Sequence, residues 1–380
     1  MERSFNNSQV DDAIDAAVDE GRIVGTRVLV SVDGETVHAR SAGHADRESG
    51  RPLTDDAIFL LASISKPFVT ATAMSLVETG ELALDAPVTR YLPDFRPRTA
   101  DGAEPAITIE QLLTHTSGLS YGMDPESFDA FHEAGASNGL DQPGLDAREA
   151  ARRLAQVPLS RAPGEAWDYS TGIDVVGWAI EAVTGQQLGD VVAERVTVPL
   201  GIVETGYTVA DRSRLLPAWY ANTPDGVERM TDDYTEHFNG FRTTFAPARV
   251  LDPASYHSGG AGLVGTAEDV VTFLEEVRTG AGAILRPDTL AAMKRVHAGQ
   301  DTTASGPGIG FGLGWAVLTD PVAAGSPQSP GTLSWGGAYG HTWFVDPERR
   351  LTVVALTNTG PEGLFGAFPV EVRDAVYDAL

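Results

Sequence analysis

Strand-like segments lie near both ends of the chain and enclose a long middle with a helical pattern. Near the N-terminus, TRVLVSVDGETVHARSAG places two β-rich runs around Asp33-Gly34, a pair typical of a two-residue hairpin turn. Near the C-terminus, GFGLGWAVL, GTLSWGGAYGHTWFVDP and RLTVVALTN alternate or run apolar between turn residues. This arrangement predicts one antiparallel sheet built from both chain ends, with terminal helices packed on it and a helical lobe inserted.

Apolar periodicity and glycine stop signals locate the helices. The run from Asp11 to Asp19 predicts a first helix, and SISKPFVTATAMSLVETGEL predicts an amphipathic helix that stops at Gly80. The clearest helices of the middle are ITIEQLLTHTSG and DVVGWAIEAVTG, followed by DVVTFLEEVRTG, which ends at Gly280. The segment PVEVRDAVYDAL closes the chain as a helix.

The size of the chain allows two lobes. It has 380 residues, 42% of them hydrophobic, which is enough for a substantial core. Because the strands come from both ends and the helices from the middle, we predict a two-lobed α+β fold. We expect residues 1–60 and 250–380 to form the sheet lobe and residues 61–249 to form the mostly helical lobe.

The charge and the N-terminal segment argue against several kinds of partner. The formal net charge is −26, and such a surface repels nucleic-acid phosphates and anionic membranes. No apolar run approaches the roughly 18 residues that cross a bilayer. The segment MERSFNNSQVDDAIDAAVDEG lacks the features of a signal peptide, so we expect a cytoplasmic location. There are no cysteines and hence no disulfides, and the oligomeric state is left open.

One serine and one lysine stand three residues apart in LASISKPF. The chain has only two lysines, Lys66 and Lys294, against twenty-five arginines. On a helix, Ser63 and Lys66 would face the same way, about 5–6 Å apart at Cβ. A serine hydroxyl becomes an effective nucleophile when a base takes its proton, and lysine, unlike arginine, can serve in that role. Alone, S-x-x-K is a weak signal, and a surface lysine on a helix is the alternative.

Other motifs of catalysis are absent from the sequence. There is no G-x-S-x-G elbow of the α/β-hydrolase kind. The histidines are scattered, without H-E-x-x-H or another metal-binding spacing. No P-loop or dinucleotide fingerprint occurs either. We therefore expect neither a metal nor a cofactor.

Five segments, in order, resemble the serine β-lactamases and penicillin-binding DD-peptidases, and in particular their class C-like branch. LASISKPF resembles the S-x-x-K nucleophile motif. ITIEQLLTHTSGL, PGEAWDYSTGIDVVGWAIEAVTG, GGAGLVGTAEDVVTFLEEV and GFGLGW resemble later segments of the same branch. The resemblance spans roughly residues 10 to 375. It implies the two-lobed serine β-lactamase-like fold, with the active site in the cleft.

The resemblance also implies roles for individual residues. Ser63 would be the acylated nucleophile, Lys66 its proton partner and Tyr169 the tyrosine of the branch. A phenol beside an ammonium can accept the serine proton and hand it to the leaving group. Backbone N–H groups of Ser63 and Ala338 would hold the oxyanion. Whether Lys66 or Tyr169 is the general base is left open, and packing against Trp167 is the alternative role for Tyr169.

Two departures from the family pattern concern the substrate. Thr171 takes the position of the asparagine in Tyr-x-Asn, and Trp335, Gly336 and Gly337 take that of Lys-Thr-Gly or His-Thr-Gly. The cation of that motif helps to hold the carboxylate of a β-lactam or a D-Ala-D-Ala peptide. Trp335 cannot do so and suits a neutral acyl group, because an unpaired anion is costly to bury. We predict that these four residues contact the substrate, the two glycines by letting it approach the strand backbone.

The run WGGAYGHTWFVDP is similar to the family VIII carboxylesterases. The resemblance therefore implies a serine carboxylesterase that hydrolyses short- to medium-chain esters through an acyl-enzyme, with a small-molecule ester as its partner. The alternatives on the same scaffold are a β-lactamase or DD-peptidase and an acyltransferase. A catalytically inactive binding module is a further alternative, against which the retention of Ser63, Lys66 and Tyr169 argues.

Three histidines are candidates of lower rank. His115, in LTHTSG, is predicted to be structural, hydrogen-bonded near a helix end. His341 lies three residues past Ala338 and could border the pocket, but a histidine satisfied at the sheet is an equal alternative, so it is left outside the catalytic set. His257, in SYHSGGAG, could line the cleft.

Overall fold

The computed structural model describes residues 5–125, 127–223, 226–238, 241–298 and 306–380. Strands β1 to β15 are, in chain order, Gly25–Val32, Glu35–Asp46, Arg51–Pro52, Phe59–Leu60, Trp219–Thr223, Gly226–Arg229, Tyr234–Phe238, Phe241–Phe245, Val264–Gly265, Ile309–Phe311, Ala316–Leu318, Leu333–Gly337, His341–Asp346, Leu351–Thr357 and Thr359–Gly360. Helices α1 to α12 are Asn7–Asp19, Ser65–Thr79, Ile109–Leu113, Phe128–Glu133, Ala147–Leu154, Gly172–Thr184, Leu188–Val192, Ala267–Thr279, Pro287–Lys294, Pro321–Ala324, Glu362–Phe365 and Phe368–Ala379.

The predicted hairpin forms between β1 and β2. Asp33 and Gly34 make its turn with φ angles of 58° and 87°, the left-handed geometry that a two-residue hairpin requires. The hairpin joins the C-terminal strands in one eight-stranded sheet, in the order β10-β11-β12-β13-β14-β1-β2-β3. Strand β14 lies antiparallel to β1, with Thr26 opposite Thr357. Strands from the two chain ends therefore meet inside one antiparallel sheet, as the sequence predicts.

The two faces of this sheet pack against different helices. Val28 and Val30 of β1 lie in one apolar cluster with residues of the terminal helices α1 and α12. Leu29, between them, lies on the opposite face, in a cluster that contains Phe273 of α8. This alternation follows from the two-residue period of a strand, and it explains why β1 is apolar almost throughout.

Helix α2 is buried on all sides, and the prediction of an amphipathic helix is wrong here. Every residue from Ser65 to Leu76 is buried. Helices α6 and α7 contact α2, and Phe68 stacks on Phe273 of α8 with ring centroids 4.0 Å apart. A helix enclosed by neighbours needs no polar stripe. Its end is as predicted, because Gly80 takes the left-handed conformation with φ 81°.

The middle of the chain also contains strands that the sequence pattern did not reveal. Strand β5 pairs in parallel with β15 and antiparallel with β6. Strands β7 and β8 form a separate hairpin. These strands are short, and they alternate too briefly to be distinguished from loops by periodicity. The predicted division into lobes at residues 60/61 and 249/250 stays a prediction.

Within the described part of the chain, no helix combines the length and the apolar character that a membrane crossing requires.

The contact between α2 and α8 gives a test of the core. We expect Phe273→Ala to lower the free energy of unfolding by about 3–5 kcal/mol, because it removes a fully buried ring that stacks on Phe68. Phe365→Ala is the matched control, since its ring is 67% exposed, and it should change stability by less than about 1 kcal/mol. Urea unfolding measures both values, and equal losses would contradict this account of the core.

Candidate active site

The candidate nucleophile stands on a tight turn at the start of α2. Strand β4 leads into the 3₁₀ turn Ala62–Ile64, and Ser63 lies in this turn directly before the helix. Ala62 has φ 45°, in the left-handed region that residues with a side chain rarely adopt. Such a conformation persists where the surroundings hold it, and both Ala62 and Ile64 are buried. The turn therefore presents the Ser63 hydroxyl from a fixed backbone.

Lys66 is fully buried beside this hydroxyl. Its Nζ donates to Ser63 Oγ at 2.9 Å and to the backbone oxygen of Gly260 at 2.8 Å. The rings of Tyr169 and Tyr121 lie 4.8 and 5.2 Å from the same nitrogen, within reach of a cation–π interaction. The alternative of a surface lysine is therefore wrong, because the burial of α2 places this side chain inside the protein.

Tyr169 reaches the same hydroxyl from the segment before α6. A 2.7 Å hydrogen bond joins Tyr169 Oη to Ser63 Oγ. The structure thus brings together the three residues of the predicted catalytic set, Ser63, Lys66 and Tyr169. Tyr169 also stacks near Trp167, with centroids 6.2 Å apart, so aromatic packing accompanies the polar contact rather than replacing it.

His115 holds the backbone on both sides of Tyr169. Its carbonyl oxygen accepts from the Asp168 amide at 2.7 Å, and its Nδ1 accepts from the Ser170 amide at 3.2 Å. Burial, aided by the Lys66 charge, lowers the pKa of His115 well below its ordinary value, so the ring is neutral. The predicted hydrogen bonding of His115 near a helix end is confirmed by these contacts, and its structural role stays a prediction.

Strand β12 brings a second backbone segment to the nucleophile turn. A Cβ on Gly337 would lie 2.5 Å from the Leu61 oxygen, so only glycine allows this approach. At Gly336 a Cβ would lie 2.4 Å from the backbone oxygen of His341. Close packing within the protein therefore requires both glycines. That they also let the substrate approach the strand backbone stays a prediction. No described residue accepts a hydrogen bond from the amide of Ser63 or of Ala338.

The register of the sheet leaves one edge of β12 open next to this turn. Strand β12 is not at the end of the sheet, because β11 and β10 lie beyond it. However, β11 pairs only with Leu333 and Ser334. From Trp335 onward, no described strand pairs with this side of β12, so the end of β12 has an open edge as an edge strand would.

Trp335 belongs to an aromatic cluster around the tyrosine. Its ring centroid is 5.3 Å from that of Tyr169 and 5.2 Å from that of Phe311. The indole is half-buried, and Phe311 and Trp167 complete the cluster. At the position that resembles the family's cationic motif, this chain therefore has an apolar surface next to Tyr169.

The remaining substrate-binding candidate, Thr171, is buried, and its hydroxyl donates to the Ser120 oxygen at 3.3 Å. Its predicted contact with substrate stays a prediction.

His341 Nε2 donates to the Leu60 oxygen at 2.7 Å, which ties β13 to the strand before the nucleophile turn. His257 Nδ1 accepts from the Gly189 amide, and its ring stacks on Tyr207. For His341 the contact with Leu60 agrees with the alternative of a histidine satisfied at the sheet, and the predicted place of His257 along the cleft stays a prediction.

The sequence analysis missed three residues around Lys66. They are Tyr121, whose ring faces the ammonium, Gly260, which accepts its hydrogen bond, and the buried Asp174. Tyr121 lies two residues past a recognised segment, and Asp174 and Gly260 lie inside recognised segments, yet none has a spacing that marks it for chemistry. Among the described residues, no group of three or more acidic, histidine or cysteine side chains could hold a metal.

The chain belongs to the beta-lactamase family, whose model, described as Beta-lactamase, matches residues 10–374. Among individual relatives, the chain is 46% identical to Esterase EstB of Burkholderia gladioli, over 97% of this chain and 95% of that protein.

Two solved structures extend the comparison. EstCE1, described as a hydrolase with promiscuous acyltransferase activity, is 42% identical and superposes with a TM-score of 0.94, covering 97% of this chain and 98% of its own. A variant of the simvastatin synthase LovD from Aspergillus terreus is 22% identical with a TM-score of 0.77, covering 97% and 94%, and shows the fold alone. The predicted family, the β-lactamase-like α+β fold and the class of serine hydrolase are confirmed.

The buried His341 makes a pH-dependent contribution to stability. Burial lowers the pKa of His341 from 6.5 to about 4, although its hydrogen bond to Leu60 opposes this. Below pH 6.5 the unfolded chain binds a proton that the folded chain does not. The contribution is therefore complete above pH 6.5 and is lost as the pH falls from about 6.5 to about 4. At about 1.4 kcal/mol per pKa unit, the loss approaches ~3 kcal/mol.

His341→Gln tests this, because the amide can still donate to Leu60 but does not titrate. We expect the loss of unfolding free energy between pH 7 and pH 4.5 to be about 2–3 kcal/mol smaller in this variant than in the wild type. Urea unfolding at the two pH values gives the comparison. His132→Gln, at an exposed position of α4, is the control and should behave as the wild type. An undiminished loss in His341→Gln would refute the assignment.

Proposed function

We propose that this chain is a serine carboxylesterase that hydrolyses short- to medium-chain carboxylic esters through an acyl-enzyme on Ser63. The observation that carries the proposal is the convergence of Lys66 Nζ and Tyr169 Oη on Ser63 Oγ, at 2.9 and 2.7 Å. The 46% identity to Esterase EstB over nearly the whole chain supports an ester as the substrate.

The contacts support the following mechanism. Ser63 Oγ attacks the carbonyl carbon of the ester while its proton passes to the Lys66–Tyr169 pair. The amides of Ser63 and Ala338 stabilise the negative charge on the former carbonyl oxygen. The bond to the leaving alcohol then breaks, and the alcohol takes the proton. Water attacks the resulting acyl ester in the same way, so the acid leaves and the Ser63 hydroxyl is restored.

The surroundings of Ser63 favour a neutral acyl group. Trp335 occupies the position of the family cation and packs on Tyr169 and Phe311. Its apolar surface can cover an alkyl chain, whereas the carboxylate of a β-lactam or peptide would lack the partner that the usual lysine or histidine supplies. This argues against the β-lactamase and DD-peptidase alternative. The intact polar set at Ser63 argues against an inactive binding module.

Acyl transfer is the second candidate function. EstCE1, which is 42% identical, is described as a hydrolase with promiscuous acyltransferase activity. The chemistry differs only in the second step, in which an alcohol instead of water attacks the acyl ester on Ser63. A small-molecule ester remains the partner in both cases. The cytoplasmic location expected from the sequence stays a prediction.

A substrate panel tests the acyl preference. We expect kcat/KM for p-nitrophenyl acetate, butyrate and hexanoate to exceed that for a chromogenic cephalosporin by at least about 100-fold, which corresponds to about 3 kcal/mol of differential binding of the transition state. Release of p-nitrophenol and opening of the lactam ring are both followed by absorbance. Fast cephalosporin turnover with feeble ester hydrolysis would overturn the substrate assignment.

Single substitutions test the roles at the site. Tyr169→Phe removes the 2.7 Å hydrogen bond to Ser63, and we expect kcat/KM for p-nitrophenyl butyrate to fall about 10²–10⁴-fold. Ser63→Ala should abolish acyl-enzyme formation in an intact-mass measurement. Tyr377→Phe is the matched control. The Tyr377 hydroxyl, on the terminal helix α12, donates to Asp346 at the end of β13. If Ser63→Ala retained full ester hydrolysis, the mechanism would be wrong.

A further inference from the structure

A buried carboxylate lies behind Lys66 and takes no part in the steps described above. Asp174 is in α6, five residues after Tyr169, and only 1% of it is exposed. Burial raises the pKa of Asp174, while the Ser258 hydroxyl and the Lys66 charge oppose that rise. A carboxylate in such a place is costly unless its surroundings compensate it. Its contacts therefore indicate what it does.

One oxygen of Asp174 holds the turn from Ser258 to Ala261. Ser258 Oγ donates to Asp174 Oδ1 at 2.5 Å and accepts from the Ala261 amide at 3.0 Å. These two hydrogen bonds close the turn around Gly260. The Gly260 oxygen in turn accepts from Lys66 Nζ at 2.8 Å. Asp174 is thus connected to Lys66 by an unbroken series of contacts.

The other oxygen of Asp174 faces Gly260 itself. Asp174 Oδ2 makes no complete hydrogen bond to a described residue, although the Gly260 amide lies close enough to lower the pKa of Asp174. A Cβ on Gly260 would lie 2.5 Å from this oxygen. Gly260 therefore lies between the carboxylate and the ammonium of Lys66. Within the described residues, Lys66 makes no direct ion pair, and its hydrogen bonds go to Ser63 and Gly260. The carboxyl group of Asp174 faces it across this one residue.

We propose that Asp174 is a positioning residue for the reaction at Ser63, acting on Lys66 through Ser258 and Gly260. It fixes the carbonyl that aims the ammonium at the nucleophile. As a carboxylate it also places a negative charge behind Lys66, on the far side of Gly260. The inference rests on the function proposed above and adds to it a residue that never touches the substrate.

The arginine and the tyrosines around Asp174 do not titrate where the test is made. Arg249 contributes a second positive charge, and arginine does not titrate in the assay range. Burial raises the pKa values of Tyr121 and Tyr207 well above their ordinary value and that of Tyr256 to a strongly alkaline value. These phenols stay neutral between pH 5 and pH 9. Burial lowers the pKa of His115, beside Tyr169, and of His257, next to Ser258, from the ordinary value of 6.5. A shift of the pH profile above the range of these two histidines therefore reports on the group formed by Ser63, Lys66 and Tyr169, or on Asp174.

The decisive variant is Asp174→Asn, which keeps the shape of the side chain and removes its charge. With p-nitrophenyl butyrate we expect kcat to fall at least about tenfold, while KM changes less than about threefold. We also expect the acid limb of the kcat/KM–pH profile to move down by about 1 pH unit, because a lost negative charge makes proton release at the site easier. If Asp174 only stabilised the fold, the variant would lose activity but the acid limb of the kcat/KM–pH profile would not move.

Ser258→Ala tests the route by which Asp174 acts. This variant keeps the carboxylate and removes the hydroxyl that links it to the turn, and kcat should fall about as far as in Asp174→Asn. In the Ser258→Ala background, Asp174→Asn should cost kcat less than about threefold, because both substitutions break one connection. Full additivity would overturn the route through Ser258. If Asp174→Asn does not fold, Ser258→Ala alone tests the positioning role of Asp174. An unchanged kcat in Ser258→Ala then overturns the proposal.

Asp269→Asn is the matched control. Asp269 is also buried and accepts from the Glu204 amide at 2.9 Å and the Thr205 hydroxyl at 3.1 Å, but it lies on α8. Its substitution should leave kcat and the acid limb unchanged. Wild-type kcat and an unmoved limb in Asp174→Asn would overturn this inference. Ser63→Ala in the same assay separates the two proposals, because ester hydrolysis that survives it refutes the function itself.

Discussion

The burial of a single ammonium group is the constraint on which the rest of the site depends. Lys66 has no exposed surface, and its hydrogen bonds go to the Ser63 hydroxyl and the Gly260 oxygen, with two tyrosine rings beside it. A charge taken out of water must recover most of its hydration from such contacts. The neighbours of Lys66 are therefore fixed in place by the same interactions that direct it at the nucleophile.

Close backbone approach is the second condition of the site. Because Gly337 has no side chain, the Leu61 oxygen can lie against it. In the same way the Asp174 carboxylate lies against Gly260, whose own oxygen accepts a hydrogen bond from Lys66. A side chain at either position would push apart the segments that converge on Ser63. His341, which donates to Leu60, adds a hydrogen bond between β13 and the strand that precedes the same turn. Stability and the proposed catalysis thus rely on the same few contacts.

Local patterns predicted most of the elements, and long-range packing explains where they failed. The hairpin at Asp33-Gly34 and the end of α2 at Gly80 have short-range causes, and both are as predicted. The expected polar stripe on α2 is absent, because helices surround it. Strands β5 to β8 were missed, since short strands leave little periodic signal. Asp174 was missed because an aspartate inside a helical segment has no local mark of burial.

The sequence by itself determined the type of chemistry and its family. The spacing of Ser63 and Lys66 is a property of the chain, and the order of the recognised segments identifies the family that the comparisons confirm. Only the tertiary structure decided that Tyr169 meets Ser63 and that Asp174 lies behind Lys66. It also decided that, among the described residues, none accepts from the amide of Ala338, which follows the open edge of β12. The reason is physical: hydrogen bonds and charges act over a few ångströms of space, whereas these residues are about a hundred or more positions apart along the chain.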